Sequence, residues 1–284
     1  MPELVYFNGE VTDFTSARVS IDDRGYQFGD GIYEVIRAYQ GKLFALHQHL
    51  ERLFRSAKEV YIPLPYQPAE LEQLLLDIYR QSALSEAMMY IQITRGTLPR
   101  KHIFPLDLKP NLLVTIRHLP DLPSSLWDDG ISVITVPDGR WDKCHIKTIS
   151  LIANILAKHQ AREAGADEAI FVRNNGIVTE AASSNVFAVI DGTIFTHPAD
   201  HHILAGITRQ YVLDIAREQN LAVREDFFTI DDLRCAEEVF ITSSIQEIVP
   251  VVRIDNRAVA DGRPGKVTRK LLAYYRKRVA AELS

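Results

Sequence analysis

The sequence predicts a two-domain protein of the α+β class with much antiparallel sheet. Three features indicate this: strand pairs joined by hairpin turns, amphipathic helices that do not alternate regularly with the strands, and one stretch of linker composition. Regular strand–helix alternation would instead indicate a doubly wound parallel sheet. We place a small domain at residues 1–120, a linker at 121–130 and a larger domain at 131–284.

The first domain opens with two predicted hairpins. Asn8-Gly9 separates LVYF from EVT, and Gln40-Gly41 separates IYEVIRAY from KLFAL, where such dipeptides favour tight turns. Helices are predicted at 47–60 and 68–84, because apolar residues recur there every three or four positions. Further strands are predicted at 88–94 and 112–117.

Prolines, serines and an acidic turn in LPDLPSSLWDDG mark the linker. The second domain then shows a strand from Ile131 and a helix that Gly165 ends. Thr229 with Asp232 forms a predicted capping box for a short helix. The remaining predicted elements are strands at 168–173, 177–180, 183–190, 193–198, 238–244 and 248–254, helices at 151–164 and 207–219, turns at 175–176 and 191–192, and a C-terminal amphipathic helix.

The composition indicates an ordinary globular protein, since 46% of the 284 residues are hydrophobic and 24% are charged. A net charge of −5 argues against nucleic acid as a partner. No apolar run approaches the roughly 18 residues that span a bilayer, and no apolar signal segment opens the sequence. We therefore expect a cytoplasmic protein without membrane contact. Cys144 and Cys235 are far apart, so we expect reduced thiols.

Lys147 is the first candidate for chemistry. It lies between Ile146 and Ile149, just before a strongly apolar helix. Poor hydration at such a junction favours the neutral amine, which is the form that attacks an aldehyde. The alternative is a lysine that extends to solvent from a partly buried turn.

Glu180 is the second candidate, at the head of the small-residue run Ala181, Ala182, Ser183 and Ser184. A carboxylate here could keep a pyridine nitrogen protonated, so that the ring accepts electrons from a carbanion. Small neighbours would let a flat ring approach the backbone. A solvent-facing glutamate followed by a tight turn is the alternative.

Three segments could bind a phosphate group. Gly206 precedes a helix that starts with Ile207 and Thr208, and free N–H groups at a helix N-terminus attract anions. ITSS ends a strand with three hydroxyls, two of them on Ser243 and Ser244, and Arg52 could add positive charge. The alternatives are an ordinary helix start, an ordinary strand end and a surface arginine.

Arg100 and His102 lie in a loop and are candidates for binding a carboxylate, because arginine presents paired donors to planar anions. Solvated loop charges are the alternative. His201-His202 resembles a metal-binding pair. We expect no metal, because adjacent histidines on a strand point in different directions and no carboxylate cluster accompanies them.

Together these segments resemble the fold-type IV pyridoxal-phosphate enzymes, most closely the D-amino acid aminotransferases. The resemblance extends over nearly the whole chain in the family's order. It is carried by DRGYQFGDGIYEV (23–35), HLERL (49–53), TRGTLPRKH (94–102), the lysine segment, VTEAASSNVF (178–187), ILAGITR (203–209) and ITSSIQEI (241–248). It implies a smaller α/β N-terminal domain and a larger barrel-like C-terminal domain with flanking helices.

The resemblance also implies roles for the candidates. Lys147 matches the lysine that holds pyridoxal 5′-phosphate as a Schiff base and moves the substrate proton, and Glu180 matches the partner of the ring nitrogen. Arg52, Ser183, Leu204, Gly206, Ile207, Thr208, Ser243 and Ser244 match positions around the cofactor. Tyr33, Arg100 and His102 match the site for the substrate α-carboxylate; the neighbouring subunit supplies the arginine and histidine, which implies a homodimer.

Two local features favour the D-specific branch over the branched-chain L-amino acid aminotransferases. Those enzymes usually read Tyr-x-Arg at Tyr90-Ile91-Gln92 and have phenylalanine at Tyr33. One departure is Ala181-Ala182, where close D-amino acid enzymes often have Gly-Ser, which puts one hydrogen bond to the cofactor in doubt.

The function implied is ping-pong transamination between D-amino acids, such as D-alanine or D-glutamate, and 2-oxo acids, such as 2-oxoglutarate or pyruvate. Alternatives within the fold are a branched-chain L-amino acid or (R)-amine transaminase and a 4-amino-4-deoxychorismate lyase. An alternative outside enzymes is a vitamin-binding protein, which would need only the phosphate site and neither Lys147 nor Glu180.

Overall fold

In a computed structural model of the chain, which describes residues 3–284, the chain divides into two compact units. The first holds residues up to Pro120 together with Ile146–Ser150 and Leu283. The second holds Asp121–His145, Leu151–Glu282 and Ser284. The segment that carries Lys147 therefore belongs to the first unit, which a single boundary near residue 120 does not predict.

The first unit is a six-stranded sheet with three helices. Its elements are β1 (Leu4–Phe7), β2 (Glu10–Thr12), α1 (Arg24–Phe28), β3 (Gly31–Tyr39), β4 (Lys42–Leu43), α2 (Leu46–Glu59), α3 (Pro68–Ser82), β5 (Ala87–Thr94) and β6 (Asn111–His118). The strand order is β2-β1-β6-β5-β3-β4, and each neighbouring pair in it is antiparallel. The predicted antiparallel sheet is thus confirmed for this unit.

Both predicted hairpins are present. Asn8 and Gly9 join β1 to β2, and Gln40 and Gly41 join β3 to β4, all four with positive φ. That conformation suits the right-handed twist of paired strands. The core lies between the sheet and α2, whose side chains at Leu46, Leu50, Leu53 and Ala57 are buried in one helical stripe.

The second unit is built on a nine-stranded sheet. Its elements are α4 (Ser125–Asp128), β7 (Ile131–Pro137), α5 (Ile152–Glu163), β8 (Glu168–Val172), β9 (Val178–Ala181), β10 (Asn185–Ile190), β11 (Thr193–Thr196), α6 (Ile207–Glu218), β12 (Val223–Glu225), α7 (Ile230–Cys235), β13 (Glu238–Ser243), β14 (Glu247–Ile254), β15 (Arg257–Ala258) and α8 (Lys266–Glu282). Parallel pairs join β7 to β8, β7 to β14 and β11 to β12.

Six strands of this sheet close on themselves. The order β10-β13-β14-β7-β8-β9 returns to its start because β9 also pairs with β10, through Glu180 and Asn185. This closure confirms the barrel-like second domain. It also places Glu180 at the point where the barrel closes.

The structure adds elements that the sequence patterns did not predict, namely α1, α4, β12 and β15. α1 is only five residues long, with Asp23 as its N-cap and Gly29 in the left-handed conformation after its end. Such short elements have too few residues to show a hydrophobic period. α4 lies inside the predicted linker, where it packs against β14 of the second unit.

The two cysteines are free thiols, as expected. Burial raises the pKa of Cys144 to about 12, so its thiol is neutral at physiological pH. Among residues 3–284, no helix combines the length and hydropathy that crossing a membrane requires.

Candidate functional site

Lys147 is held against the edge of β3 by backbone hydrogen bonds. The Tyr33 amide donates to the Lys147 carbonyl at 3.0 Å, and the Ile149 amide donates to the Gly31 carbonyl at 3.0 Å. A Cβ at Gly31 would lie 2.7 Å from the Ile93 carbonyl oxygen and 2.9 Å from Ile149 Cδ1, so the close approach depends on glycine. The lysine backbone therefore has a fixed position beside Tyr33.

The Lys147 side chain lies over an aromatic ring. Its Nζ is 4.1 Å from the centroid of the Tyr33 ring, which in turn lies 5.7 Å from the ring of Tyr90. Burial raises the pKa of Tyr90 to about 12, and its hydroxyl donates to Gln92 Oε1 at 2.7 Å. The face of the Tyr33 ring therefore lies directly beside the lysine nitrogen and limits the orientations of its side chain. The structure thus brings two of the predicted residues, Lys147 and Tyr33, into contact.

Arg52 is buried in an ionic cluster within the first unit. Its Nε donates to Glu34 Oε1 at 2.7 Å and its Nη2 to Glu34 Oε2 at 2.8 Å. His49 Nδ1 lies 2.7 Å from Glu34 Oε2. Burial would raise the pKa of Glu34, but Arg52 and His49 hold it well below its usual range. Burial lowers the pKa of His49, and the hydrogen bond and charge of Glu34 oppose that effect.

Arg100 and His102 lie together on an exposed loop of the first unit. The Arg100 guanidinium lies 4.3 Å from the centroid of the Phe28 ring, and the His102 ring lies 5.5 Å from the same ring. Buried Arg24 fixes the loop from inside, because its Nη1 and Nη2 donate to the carbonyls of Lys101 and His102 at 2.5 and 3.3 Å. A side-chain pair able to bind a carboxylate is therefore displayed on a backbone that Arg24 constrains.

Glu180 belongs to a second ionic cluster, within the second unit. Its Oε1 accepts from Arg140 Nη1 at 2.5 Å, and its Oε2 accepts from Asn185 Nδ2 and the Leu204 amide, each at 3.1 Å. Arg140 also donates through Nε and Nη2 to both oxygens of Asp138, at 2.9 Å each. Only 7% of Glu180 is exposed.

The second cluster contains two carboxylates and one arginine, whereas the first contains one carboxylate, one arginine and a histidine. Burial would raise the pKa of Asp138, but the hydrogen bond and charge of Arg140 lower it. Burial by itself would lower the pKa of Arg140, but the hydrogen bonds to Asp138 and the charges of Glu180 and Asp138 raise it above its usual value. Arg140 therefore divides its hydrogen bonds between two buried carboxylates, those of Asp138 and Glu180.

The start of α6 has the features of an anion site. Gly206 is its N-cap and provides no side-chain cap for the first-turn N–H groups of Ile207 and Thr208. A Cβ at Gly206 would lie 2.1 Å from Asn185 Oδ1, so only glycine allows the helix start to come this close to Asn185. Asn185 Nδ2 also donates to the Leu204 carbonyl at 2.8 Å. One asparagine thus connects Glu180, Leu204 and the helix start.

Buried hydroxyls near the closure of the barrel lack partners in the described chain. The Oγ of Ser184 and the Oγ1 of Thr242 are buried without a hydrogen bond among residues 3–284. Buried polar atoms normally find a partner, so these two indicate a place for a polar ligand. The predicted Ser183 instead donates to Glu168 Oε2 at 2.7 Å, and Ser243 Oγ accepts from the Gln246 amide at 3.2 Å.

The reason for expecting no metal at His201-His202 does not hold in the structure. The pair lies in a turn, its ring centroids are 3.8 Å apart, and a carboxylate is present: Asp200 Oδ2 lies 3.2 Å from His202 Nδ1.

Sequence reasoning missed several residues of these clusters. Glu34 had a detectable signal: Ile32, Glu34 and Ile36 alternate along β3 and all are fully buried, so a charge stands on the apolar face. Arg140 and Asn185 gave no such signal, because an arginine in a loop and an asparagine in a strand do not interrupt a recognisable hydrophobic pattern.

The chain matches the model of the family described as Amino-transferase class IV over residues 31–254. It is 43% identical to the D-alanine aminotransferase of Staphylococcus haemolyticus over 281 residues, which is 99% of each chain.

Solved structures show the same fold. The branched-chain amino acid aminotransferase of Escherichia coli superposes with a TM-score of 0.91 at 26% identity, covering 97% of this chain and 94% of that one. A second branched-chain amino acid aminotransferase, solved with pyridoxamine 5′-phosphate, gives a TM-score of 0.87 at 27% identity, covering 97% and 93%.

Proposed function

We propose, since the chain belongs to the class IV aminotransferase family, that it transfers the amino group of D-amino acids to 2-oxo acids. D-alanine and D-glutamate are the proposed donors, and 2-oxoglutarate and pyruvate the proposed acceptors. The observation that carries the substrate class is the nearly full-length match to a D-alanine aminotransferase.

The residues present fit pyridoxal 5′-phosphate, the cofactor of this family. The buried carboxylate of Glu180, the glycine at the start of α6 and the buried hydroxyls of Ser184 and Thr242 support the fit. When bound, the cofactor supplies an aldehyde for the amino group and a protonated ring that accepts the electrons of the carbanion. The residues proposed to hold it are Arg52, Lys147, Glu180, Ser183, Leu204, Gly206, Ile207, Thr208, Ser243 and Ser244.

Each chemical role then belongs to a specific group of this chain. Lys147 Nζ would hold the cofactor covalently and, when substrate takes its place, would remove the proton of the substrate α-carbon and deliver it to the cofactor's aldehyde carbon. Glu180 keeps the ring nitrogen protonated, and Arg140 and Asn185 hold its carboxylate in place. Tyr33, below Nζ, limits the directions in which Lys147 can move.

The handedness of the substrate is proposed to depend on the residues that bind its α-carboxylate. Arg100 offers paired donors to a carboxylate, His102 adds a third, and Tyr33 lies beside the lysine. Fixing the carboxylate decides for which enantiomer the single α-hydrogen faces Lys147. The constraint of Arg24 on the loop backbone supports such a positional role.

We further propose a homodimer in the cytoplasm, in which Arg100 and His102 serve the site of the partner subunit. Ile103 and Leu106, on the same loop, are 86% and 74% exposed. Exposed apolar side chains beside functional loop residues support burial against another chain.

The first experiment measures substrate handedness. Purified enzyme with added cofactor receives D-alanine and 2-oxoglutarate, and the pyruvate formed is measured with a coupled dehydrogenase. We expect turnover with D-alanine and essentially none with L-alanine. Turnover of L-leucine without turnover of D-alanine would overturn the proposal in favour of a branched-chain enzyme.

The second experiment tests the lysine. Lys147→Ala should lose the covalent cofactor that borohydride traps in the wild type, together with transamination. Lys143→Ala is the matched control, because this exposed lysine lies in the same segment and should keep both. Trapping at an unchanged level in the Lys147 variant would assign the covalent site elsewhere.

The third experiment tests the carboxylate site. Arg100→Ala should raise KM for D-alanine by about 10- to 100-fold, as expected for the loss of a charged hydrogen bond worth about 1.5–3 kcal/mol. Lys101→Ala, an exposed neighbour in the same loop, should leave KM unchanged. An unchanged KM in the Arg100 variant would remove this residue from the substrate site.

A further inference from the structure

The loop between β11 and α6 brings together three side chains with metal-ligand chemistry. His197, Asp200 and His202 each offer one ligand atom, and these atoms lie within 4.8 Å of one another. We propose that these three residues bind a divalent transition-metal ion, with zinc as the representative. This site is separate from the chemistry assigned to Lys147 and Glu180.

The spacing of the three groups suits a single ion. Asp200 lies between the two histidines, with Oδ2 at 3.2 Å from His202 Nδ1 and Oδ1 at 3.7 Å from His197 Nδ1. Ligands of one tetrahedral zinc, each about 2.0–2.2 Å from the metal, stand roughly 3–4 Å apart. His197 Nδ1 also contacts the Pro198 carbonyl at 2.9 Å, so coordination through this nitrogen would exchange that contact for the ion.

The ligand types fit zinc better than magnesium or calcium. Imidazole nitrogen is a preferred ligand of zinc and its neighbours in the first transition row, whereas magnesium and calcium select oxygen. Two imidazoles and one carboxylate leave a fourth position for water. The side chain of His197 is 1% exposed, while those of Asp200 and His202 are 27% and 18% exposed, so an ion could enter from the solvent side.

The surroundings tolerate a cation although two arginines contact the loop. Arg209 Nη2 donates to the His197 carbonyl at 2.8 Å, and Arg140 Nη2 donates to the His202 carbonyl at 3.2 Å. Carboxylates contact both guanidinium groups: Glu225 pairs with Arg209 and also with Arg217, and Asp138 and Glu180 pair with Arg140. Asp142 adds further negative charge, with Oδ1 at 3.7 Å from His202 Nε2.

The consequence of binding is structural. The same loop continues into Leu204, whose amide donates to Glu180 Oε2, and into the start of α6. An ion at His197, Asp200 and His202 would fix this loop at one end, and so restrict the backbone that contacts Arg140 and Glu180.

The test measures zinc binding by untagged, cofactor-loaded protein after treatment with EDTA. We expect one saturable zinc site per chain in calorimetric titration and by metal analysis after dialysis. Asp200→Asn and His202→Gln should each weaken binding by more than about tenfold, since even changes outside the ligand shell of known sites cost 10- to 100-fold. His201→Gln is the matched control and should bind as the wild type does.

Thermal unfolding gives a second readout in the same variants. An ion that binds only the folded state raises Tm with concentration, so zinc should raise Tm of the wild type and of His201→Gln but not of His202→Gln. Circular dichroism in EDTA checks that each variant is folded. Absence of a saturable site in the wild type, or unchanged affinity in both ligand variants, would overturn the proposal, as would loss of binding in His201→Gln alone.

Discussion

Glu34 and Glu180 are buried glutamates that each contact an arginine, yet the two arginines distribute their hydrogen bonds differently. Glu34 accepts from Arg52 with both of its oxygens and also contacts His49. Arg140 instead divides its hydrogen bonds between Glu180 and Asp138. A change at Glu34 therefore removes the carboxylate that Arg52 contacts twice, whereas a change at Glu180 leaves Arg140 its contacts with Asp138.

The largest expected effect comes from Glu34→Gln. It leaves the Arg52 guanidinium buried without its counter-charge, which typically destabilises a protein by about 3–5 kcal/mol. Urea unfolding of the purified variant measures this loss. Glu51→Gln, a change on the exposed face of α2, is the matched control and should cost about 0–0.5 kcal/mol. Equal stability of the two variants would contradict a structural role for the Glu34 cluster.

Glu180→Gln should lower activity strongly while it leaves stability nearly unchanged. Folding should change little, because Arg140 keeps its two hydrogen bonds to Asp138. Activity with D-alanine should fall by about 10²–10³-fold in kcat, the usual effect of removing one preorganised electrostatic contact. Steady-state kinetics at saturating cofactor measure it. If kcat is retained while stability falls as in Glu34→Gln, the distinction between the two clusters is wrong.

The smallest expected effect is a pH dependence of stability that arises from His49 in the first cluster. The pKa of His49 is lowered from 6.5 by burial, with Glu34 opposing that effect. As pH falls below 6.5, the unfolded state takes up a proton that the folded state does not, so this part of the stability is present above 6.5 and is lost below it.

The free energy of unfolding should therefore drop between about pH 7.5 and about pH 5.5 by more in the wild type than in His49→Gln. His47→Gln is the control, because this histidine is 67% exposed and should leave the pH dependence unchanged. A wild-type pH dependence that persists in His49→Gln would show that other groups cause it.

Much of the architecture could be predicted from local patterns. The hairpins at Asn8-Gly9 and Gln40-Gly41, the stripe of leucines in α2 and the capping box of Thr229 with Asp232 all appear where the sequence places them. Each is decided by residues within one or two turns of chain, which is why a single sequence carries the information. Short elements such as α1 and α4 could not be predicted in this way, because they contain too few residues to show a repeating pattern.

Motif order and residue type were enough to predict the family and the candidate residues, because neither requires three-dimensional knowledge. The partners of those residues became known only from the folded chain. It paired Arg52 with Glu34, joined Glu180 to Arg140 across 40 positions, and gave the lysine segment to the first unit. It also placed Asp200 between two histidines. Contacts between distant residues depend on strand register, barrel closure and burial, and these follow from packing of the whole chain.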